Sequence, residues 1–264
     1  MDTITFETRD DGVAVLTLNR PDVLNGMNQQ LISEVRATLR KVRDDAAIGA
    51  LIVTGAGRAF CSGADLAAGG ERLDNFTVGD GVAHGMETGF NPMIRELAEL
   101  PKPVICAVNG IAAGGGVGLA LAGDVVFAAK SASFVQVFGP RLALVPDCGV
   151  TYFMPRLIGM ARTRALAMSG DRLTAEKAAG WGLIWACVED GALMDEALAF
   201  AARLAKGPTA AFGDIKQVLD ASFDNDLASQ LDLEKEVQRQ RGNDPNFTEG
   251  VTAFLQKREP NFAR

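Results

Sequence analysis

A single carboxylate, Asp147, stands in the word LVPDCG among the apolar or weakly polar side chains of Leu142, Leu144, Val145 and Cys148. Earlier in the chain run three successive glycines, Gly114 to Gly116, between a short apolar run and an Ala/Leu-rich one. Together these point to one kind of chemistry. Glycines leave backbone N–H groups open to close approach by a developing oxyanion. An aspartate in apolar surroundings suits proton transfer beside a carbonyl. The ordinary alternative for Asp147 is a helix cap or an Asx turn after Pro146. A second cluster of small residues, Ser62-Gly63-Ala64-Asp65-Leu66, has the same character, and its ordinary alternative is a tight turn.

The elements that must hold these residues alternate. Residues 3–8 and 13–18 read as strands joined at Arg9-Asp10-Asp11-Gly12, a hairpin signal. From Gln29 to Val42, Leu31, Ile32, Val35, Leu39 and Val42 recur at helical spacing. A buried-type strand follows at 51–54, then a helix at 91–100, a strand at 104–108, a helix near 116–122 and a strand at 125–129. This pattern predicts an α/β core. Beyond Pro155 helices dominate: 162–168, 175–181, 193–204, 211–222, 227–240 and 247–257, with one last strand over 183–188. The chain therefore divides into an α/β core over 1–190 and a helical region over 191–264. The stretch from Ala67 to Gly89 is weakly patterned and reads as a surface loop or helix bordering a site.

Composition narrows the function. With 48% hydrophobic residues the chain can bury a sizeable core, and its net charge of −7 argues against broad nucleic-acid or membrane-surface binding. The start MDTITFETRDD does not read as a signal peptide, and no apolar run reaches membrane-spanning length. The scattered cysteines, Cys61, Cys106, Cys148 and Cys187, have no CxxC spacing and fit reduced thiols in a cytoplasmic protein. With His84 as its one histidine, the chain offers no evident transition-metal set. It also lacks the G-x-S-x-G elbow that a serine triad on that histidine would need.

Two words, SGADL and AAGGGVGLALAGD, followed by LVPDCG, PRLIG and SGDRLTAEKAAGWGLI, resemble the enoyl-CoA hydratase/isomerase (crotonase) superfamily. The resemblance runs from LNRPDVLNGMN near the start to FLQKREPNF near the end. It implies a crotonase-like spiral of ββα units with a C-terminal helical region that packs against neighbouring subunits, as a homotrimer or dimer of trimers. It also implies an acyl-CoA thioester substrate and no cofactor, CoA arriving as part of the substrate. By the same resemblance, the Ala64 and Gly115 N–H groups form the oxyanion hole. Val23, Leu24, Ala64, Asp65 and Leu66 border the CoA moiety, and Phe254 and Lys257 reach a neighbour's CoA; the ordinary alternative for these last two is a surface anchor and a solvated cation.

The chain departs from the hydratase pattern. Hydratases of the family use two glutamates, one at the position of Gly118 and one near Val135-Gln136-Val137-Phe138, and neither position carries a carboxylate. Asp147 remains, at the position where several isomerases of the family carry their acid. One acid–base group suffices for a 1,3-proton shift. The words LVPDCG, WGLIW, the run from Gln230 to Arg239 and EGVTAFLQKREPNF resemble the phenylacetate-degradation branch, which isomerises a 1,2-epoxyphenylacetyl-CoA thioester. Asp65 and Asp124 read as structural. Glu87, Glu96 and Glu99 are candidates for a second carboxylate, and Phe90, Phe134, Phe138, Met86 and Met93 for an apolar acyl pocket. The other readings are an enoyl-CoA hydratase with its acids elsewhere, and a catalytically silent acyl-CoA-binding protein of the same fold.

Overall fold

The computed structural model describes residues 1–68 and 77–263. Strands β1 (Ile4–Thr8) and β2 (Val13–Leu18) form an antiparallel hairpin. Helix α1 (Gln29–Asp44) follows, capped by the Asn28 side chain, which accepts from the Leu31 N–H. Its buried residues include Leu31, Ile32, Val35, Leu39 and Val42, the stripe that the helical spacing predicts. Next come β3 (Ala50–Gly55) and β4 (Ala59–Cys61). Helices α2 (Val78–Gly85) and α3 (Asn91–Ala98), joined by a wider turn over Met86–Phe90, lead to β5 (Val104–Val108) and β6 (Ile111–Ala113). Then follow α4 (Gly115–Leu121), β7 (Val125–Ala129) and β8 (Ser133–Val135). The chain continues through α5 (Val150–Ser169), β9 (Leu173–Thr174), α6 (Ala175–Trp181) and β10 (Ala186–Val188). It closes with α7 (Leu193–Ala205), α8 (Thr209–Ala221), α9 (Leu227–Gly242) and α10 (Pro245–Gln256).

Two sheets result. The larger has the order β1-β2-β3-β5-β7-β10 and the smaller β4-β6-β8-β9. Each of the pairs β3–β4, β5–β6 and β7–β8 thus gives one strand to each sheet, with helices between pairs. This is the spiral of ββα units. From β2 to β10 the large sheet is parallel, and its central strands are continuous apolar runs, as strands covered on both faces must be. Helix α7 packs on β2, β3, β5 and β7, and Ala197, Ala201 and Ala205, four residues apart, are fully buried. Small side chains bring this helix close to the sheet: a Cβ on Gly49 would meet Ala205 O at 2.6 Å.

The helical reading that begins at Arg162 starts too late. Helix α5 begins at Val150 and is broken internally at Gly159, whose φ of 79° and ψ of 160° are not helical. The last strand is shorter than its apolar run, because Leu183 and Ile184 are buried ahead of β10 without joining the ladder. Of the stretch read as a loop or helix over 67–89, residues 69–76 lie outside the described residues, and the rest includes α2. Among the described residues no helix is long and apolar enough to cross a membrane.

Candidate functional site

The small sheet assembles the site. Strands β4 and β6 are parallel neighbours, so the segments leaving their C-terminal ends lie side by side. One of these segments is Ser62-Gly63-Ala64-Asp65 and the other Gly114-Gly115-Gly116. Gly63 has φ +91°, the left-handed region, and a Cβ there would lie 2.9 Å from Ala113 O and 3.2 Å from Gly115 N. Only a residue without a side chain permits that approach.

The Met27 N–H donates to Gly63 O at 2.8 Å, and Met27 O accepts from the Asp65 N–H at 3.0 Å. Ala64 lies between these bonds in a parallel bridge, so its own N–H points away from Met27. Gly114 (φ +53°) donates its N–H to Val135 O at 2.9 Å, which turns the chain from β6 into α4. The N–H groups of Ala64 and Gly115 donate to no described residue.

Val23 and Leu24 adjoin this loop. Leu24 O accepts from the Ser62 N–H at 3.0 Å and Val23 O from the Ser62 hydroxyl at 3.3 Å. The turn that presents them is held by Asn25, fully buried at φ +56°. Its side chain accepts from Arg20 N at 2.9 Å and donates to Ala56 O at 3.0 Å and Ala59 O at 2.8 Å. Asp65 is tied down: Arg20 Nη1 lies 2.8 Å from its Oδ2, and the Ala68 N–H donates to Oδ1 at 3.1 Å. The Arg20 hydrogen bond holds the Asp65 carboxyl below its ordinary value, so it is a charged structural anchor. Leu66 is exposed beyond it.

Asp147 reaches the same place from a turn after β8. It is half-buried, and the point where a Cβ on Gly115 would stand is 3.5 Å from its Oδ1. It caps nothing: Gly149 precedes α5 and no side chain caps that helix. Burial pushes the Asp147 carboxyl above its ordinary value, while a hydrogen bond from the Cys148 thiol pulls the other way. Leu142, Leu144 and Val145 are 38%, 47% and 79% exposed. The sequence neighbours therefore do not form the shield that the motif suggests; Cys148, Met27 and the glycine face of α4 gather around Gly115 beside the carboxylate.

No second carboxylate joins Asp147 from the candidate glutamates. Glu96 is occupied by Arg36 and Arg40, at 2.9 and 3.1 Å. Burial works against its charge, yet the Arg36 and Arg40 hydrogen bonds hold its carboxyl below the ordinary value. Glu87 and Glu99 are exposed. At Gly118 a side chain has no room, since a Cβ would lie 2.1 Å from Cys148 O. Phe138 faces the glycines, its ring 3.6 Å from the Cβ position of Gly114. Phe134 and Met93 are buried in the core, and Phe90 packs against it. Asp124 is spent elsewhere, accepting from the Val104 N–H at 2.7 Å and pairing with Lys216 at 2.9 Å.

Phe254 and Lys257 stand apart, at the end of α10. Phe254, 83% exposed, lines a separate cavity of about 430 Å³ with Phe247, Val251, Leu255 and Phe262. Sequence reasoning did not find Arg20 as the partner of Asp65, forty-five positions away, nor the Cys148 thiol against Asp147. The LNRPDVLN word was the available signal for the first.

The Enoyl-CoA hydratase/isomerase family model matches residues 8–264. The chain is 47% identical to the 1,2-epoxyphenylacetyl-CoA isomerase of Escherichia coli (strain K12), over 96% of this chain and 95% of that one. It is 43% identical to a probable enoyl-CoA hydratase of Rhodobacter capsulatus, over 98% of this chain and 97% of that one. The crystal structure of an enoyl-CoA hydratase from Bacillus anthracis superposes with a TM-score of 0.91 at 32% identity, covering 99% of both chains. A parallel β4–β6 pair that sets two free N–H groups beside one aspartate thus belongs to a chain that matches one family along nearly its whole length: the protein is an enzyme of the enoyl-CoA hydratase/isomerase family.

Proposed function

We propose that the chain is an acyl-CoA isomerase in which Asp147 moves the proton and the Ala64 and Gly115 N–H groups hold the thioester oxygen. The observation that carries this reading is the juxtaposition of Asp147 Oδ1 with Gly115, 3.5 Å from its Cβ position, beside two N–H groups that the fold leaves free. Abstraction of a proton next to the thioester turns its carbonyl oxygen into an enolate oxygen. Donors already aimed at that oxygen stabilise the new charge without reorganising, each by on the order of 3 kcal/mol. A carboxyl raised by burial is a stronger base than an ordinary aspartate and returns the proton to a second carbon of the same substrate.

The substrate class is an acyl-CoA thioester whose pantetheine runs past Val23, Leu24 and Leu66. The favoured acyl group is the ring epoxide of phenylacetyl-CoA, supported by the similarity to the E. coli isomerase. There, loss of the α-proton drives opening of the epoxide. A 3-to-2 shift of an enoyl-CoA uses the same parts. Hydration is the second reading, favoured by the name of the R. capsulatus relative. Against it stand the occupied space at Gly118 and, among the described residues, the single carboxylate beside Gly115.

The proposal extends to a homotrimer or dimer of trimers. It is supported by the exposed apolar side chains of Ile215, Leu219, Leu227, Leu231, Phe254 and Leu255 on α8–α10, the kind of surface that an interface covers. In such an assembly Phe254 and Lys257 reach a neighbour's CoA. The free thiols of Cys61, Cys106, Cys148 and Cys187 fit a reducing cytoplasmic setting.

The test is to incubate the protein with 1,2-epoxyphenylacetyl-CoA, a 3-enoyl-CoA and a 2-enoyl-CoA, with Asp147→Asn alongside, following product mass. Conversion at unchanged mass that Asp147→Asn abolishes supports the isomerase. Addition of water that survives the substitution refutes it.

A further inference from the structure

Cys148 stands where Asp147, the first turn of α4 and the start of α5 meet. It is 2% exposed and holds φ +51°, a left-handed conformation uncommon for any residue but glycine. Its seat is cut into one face of α4 by two glycines three positions apart. A Cβ on Gly115 would lie 2.9 Å from the Cys148 Sγ, and one on Gly118 would lie 2.7 Å from the Cys148 Cβ. Cys148 Sγ and Asp147 Oδ1 therefore border the same small space above Gly115, 2.9 and 3.5 Å from the Cβ position of that glycine. No described cation forms an ion pair with Asp147.

We infer that Cys148 is the positioning residue of this site, its thiol donating to the Asp147 carboxylate and fixing the direction in which that carboxylate faces Gly115. The inference rests on the reading of Asp147 as the proton carrier. A half-buried aspartate on an exposed turn otherwise swings toward water. A thiol suits the task because it is a weak donor: it orients the carboxylate while removing little of its basicity. Burial, with the Asp147 charge beside it, pushes the Cys148 thiol up, so it stays protonated and donating through the neutral range.

Among the described residues few other groups compete. Helix α4 carries no titratable side chain. Cys61 on β4, the nearest other thiol, is pushed up to about 12 by burial. Asp65 is held by Arg20, and Arg141 on the Asp147 loop is exposed.

The experiment compares Cys148→Ala and Cys148→Ser with the wild type and Asp147→Asn, reading kcat and KM against pH. Cys148→Ala is expected to lose roughly tenfold in kcat, the worth of one modest hydrogen bond, at unchanged KM. The acid limb of its profile moves to higher pH, because the charged carboxylate has lost a donor. In Cys148→Ser the limb moves to lower pH, because a hydroxyl donates more strongly. A packing role alone would move KM or stability and leave the limb in place.

The carboxyl titration of Asp147 gives the same answer without turnover. It is read by NMR on protein labelled with carboxyl-¹³C aspartate, the signal being the one missing from Asp147→Asn. Opposite displacements in the two cysteine variants support the inference; unchanged titrations, or displacements in one direction, overturn it. Full activity in Asp147→Asn would instead refute the proton-carrier reading, leaving the titration to decide what Cys148 does to the carboxylate.

Discussion

Gly118 offers the sharpest perturbation, because a single methyl group there meets backbone rather than a yielding side chain. A Cβ at this position would stand 2.1 Å from Cys148 O, 2.7 Å from its Cβ and 2.8 Å from its carbonyl carbon. Ordinary contact needs about 3.5 Å, so the two segments must part by roughly 1.4 Å. The segment that moves is the turn carrying Asp147, which already holds Cys148 at φ +51° and Gly149 at φ +78°. In an unconstrained helix Gly→Ala stabilises by about 1 kcal/mol. Overpacking against rigid structure destabilises by up to about 3 kcal/mol, so Gly118→Ala is expected to lose about 2 kcal/mol net.

Urea unfolding beside the wild type measures that loss. Gly81→Ala is the control: the position is helical, a Cβ there meets nothing within 4 Å, and the substitution is expected to be neutral or stabilising. Activity is the second readout. A displacement of about 1 Å at a reacting group costs on the order of a hundredfold in rate, so kcat falls with the turn. Gly118→Glu is expected to add no hydratase activity, since its stem meets the same carbonyl. A Gly118→Ala protein as stable and as active as the wild type would refute the reasoning.

Asp147→Asn is expected to lower kcat by about 10² to 10⁴, measured in steady state. The same variant should unfold at higher urea than the wild type at neutral pH: the native carboxyl binds its proton more tightly than the unfolded one, so wild-type stability falls as pH rises from the ordinary aspartate value through the folded one, and the gap closes in acid. Arg20→Ala removes the partner of a largely buried carboxylate and is expected to destabilise by about 2 kcal/mol near neutrality. Asp65 has its folded value lowered, so its contribution is present above the unfolded value and lost as pH falls through the folded one; in Arg20→Ala the urea midpoint should depend less on acid. Gly63→Ala forces a side chain to φ +91° and against Ala113 O and Gly115 N, spreading the two N–H groups; kcat should fall about a hundredfold, and unchanged kinetics would count against the oxyanion assignment.

The large sheet was legible because its strands other than β10 are five or six residues long, enough for an apolar run between turn signals. The small sheet was not. Strands β4, β6 and β8 have three residues each and β9 has two, too few to show any period, and their pairing is set by the large sheet above them. Yet it is β4 and β6 that bring Ala64 to Gly115. The motif residues were therefore readable as chemistry before the element joining them was readable as structure. Helix α5 was half-seen because the reading divided the chain at Pro155, which lies inside the helix; the residue that leaves the helical region is Gly159. The environment of Asp147 was misjudged for a related reason: neighbours in sequence were read as neighbours in space. Leu144 and Val145 face outward, while Met27, more than a hundred positions earlier, lies over Gly115.

On the proposed reading, the contrast between one-carboxylate and two-carboxylate chemistry reduces here to packing. A glutamate at position 118 and a left-handed residue with a side chain at 148 compete for one volume: with Gly118, Cys148 seats its carbonyl and Cβ against α4; with any larger residue it cannot. Once seated, Cys148 brings its neighbour Asp147 to Gly115. On the proposed reading, exchanging a glutamate on the helix for an aspartate on the following turn gives up a site for water and gains a proton carrier. Restoring hydration would require changing 118 and 148 together. Neither substitution alone is expected to produce a hydrated product by mass, and a hydrated product from Gly118→Glu alone would show that the two positions do not exclude one another.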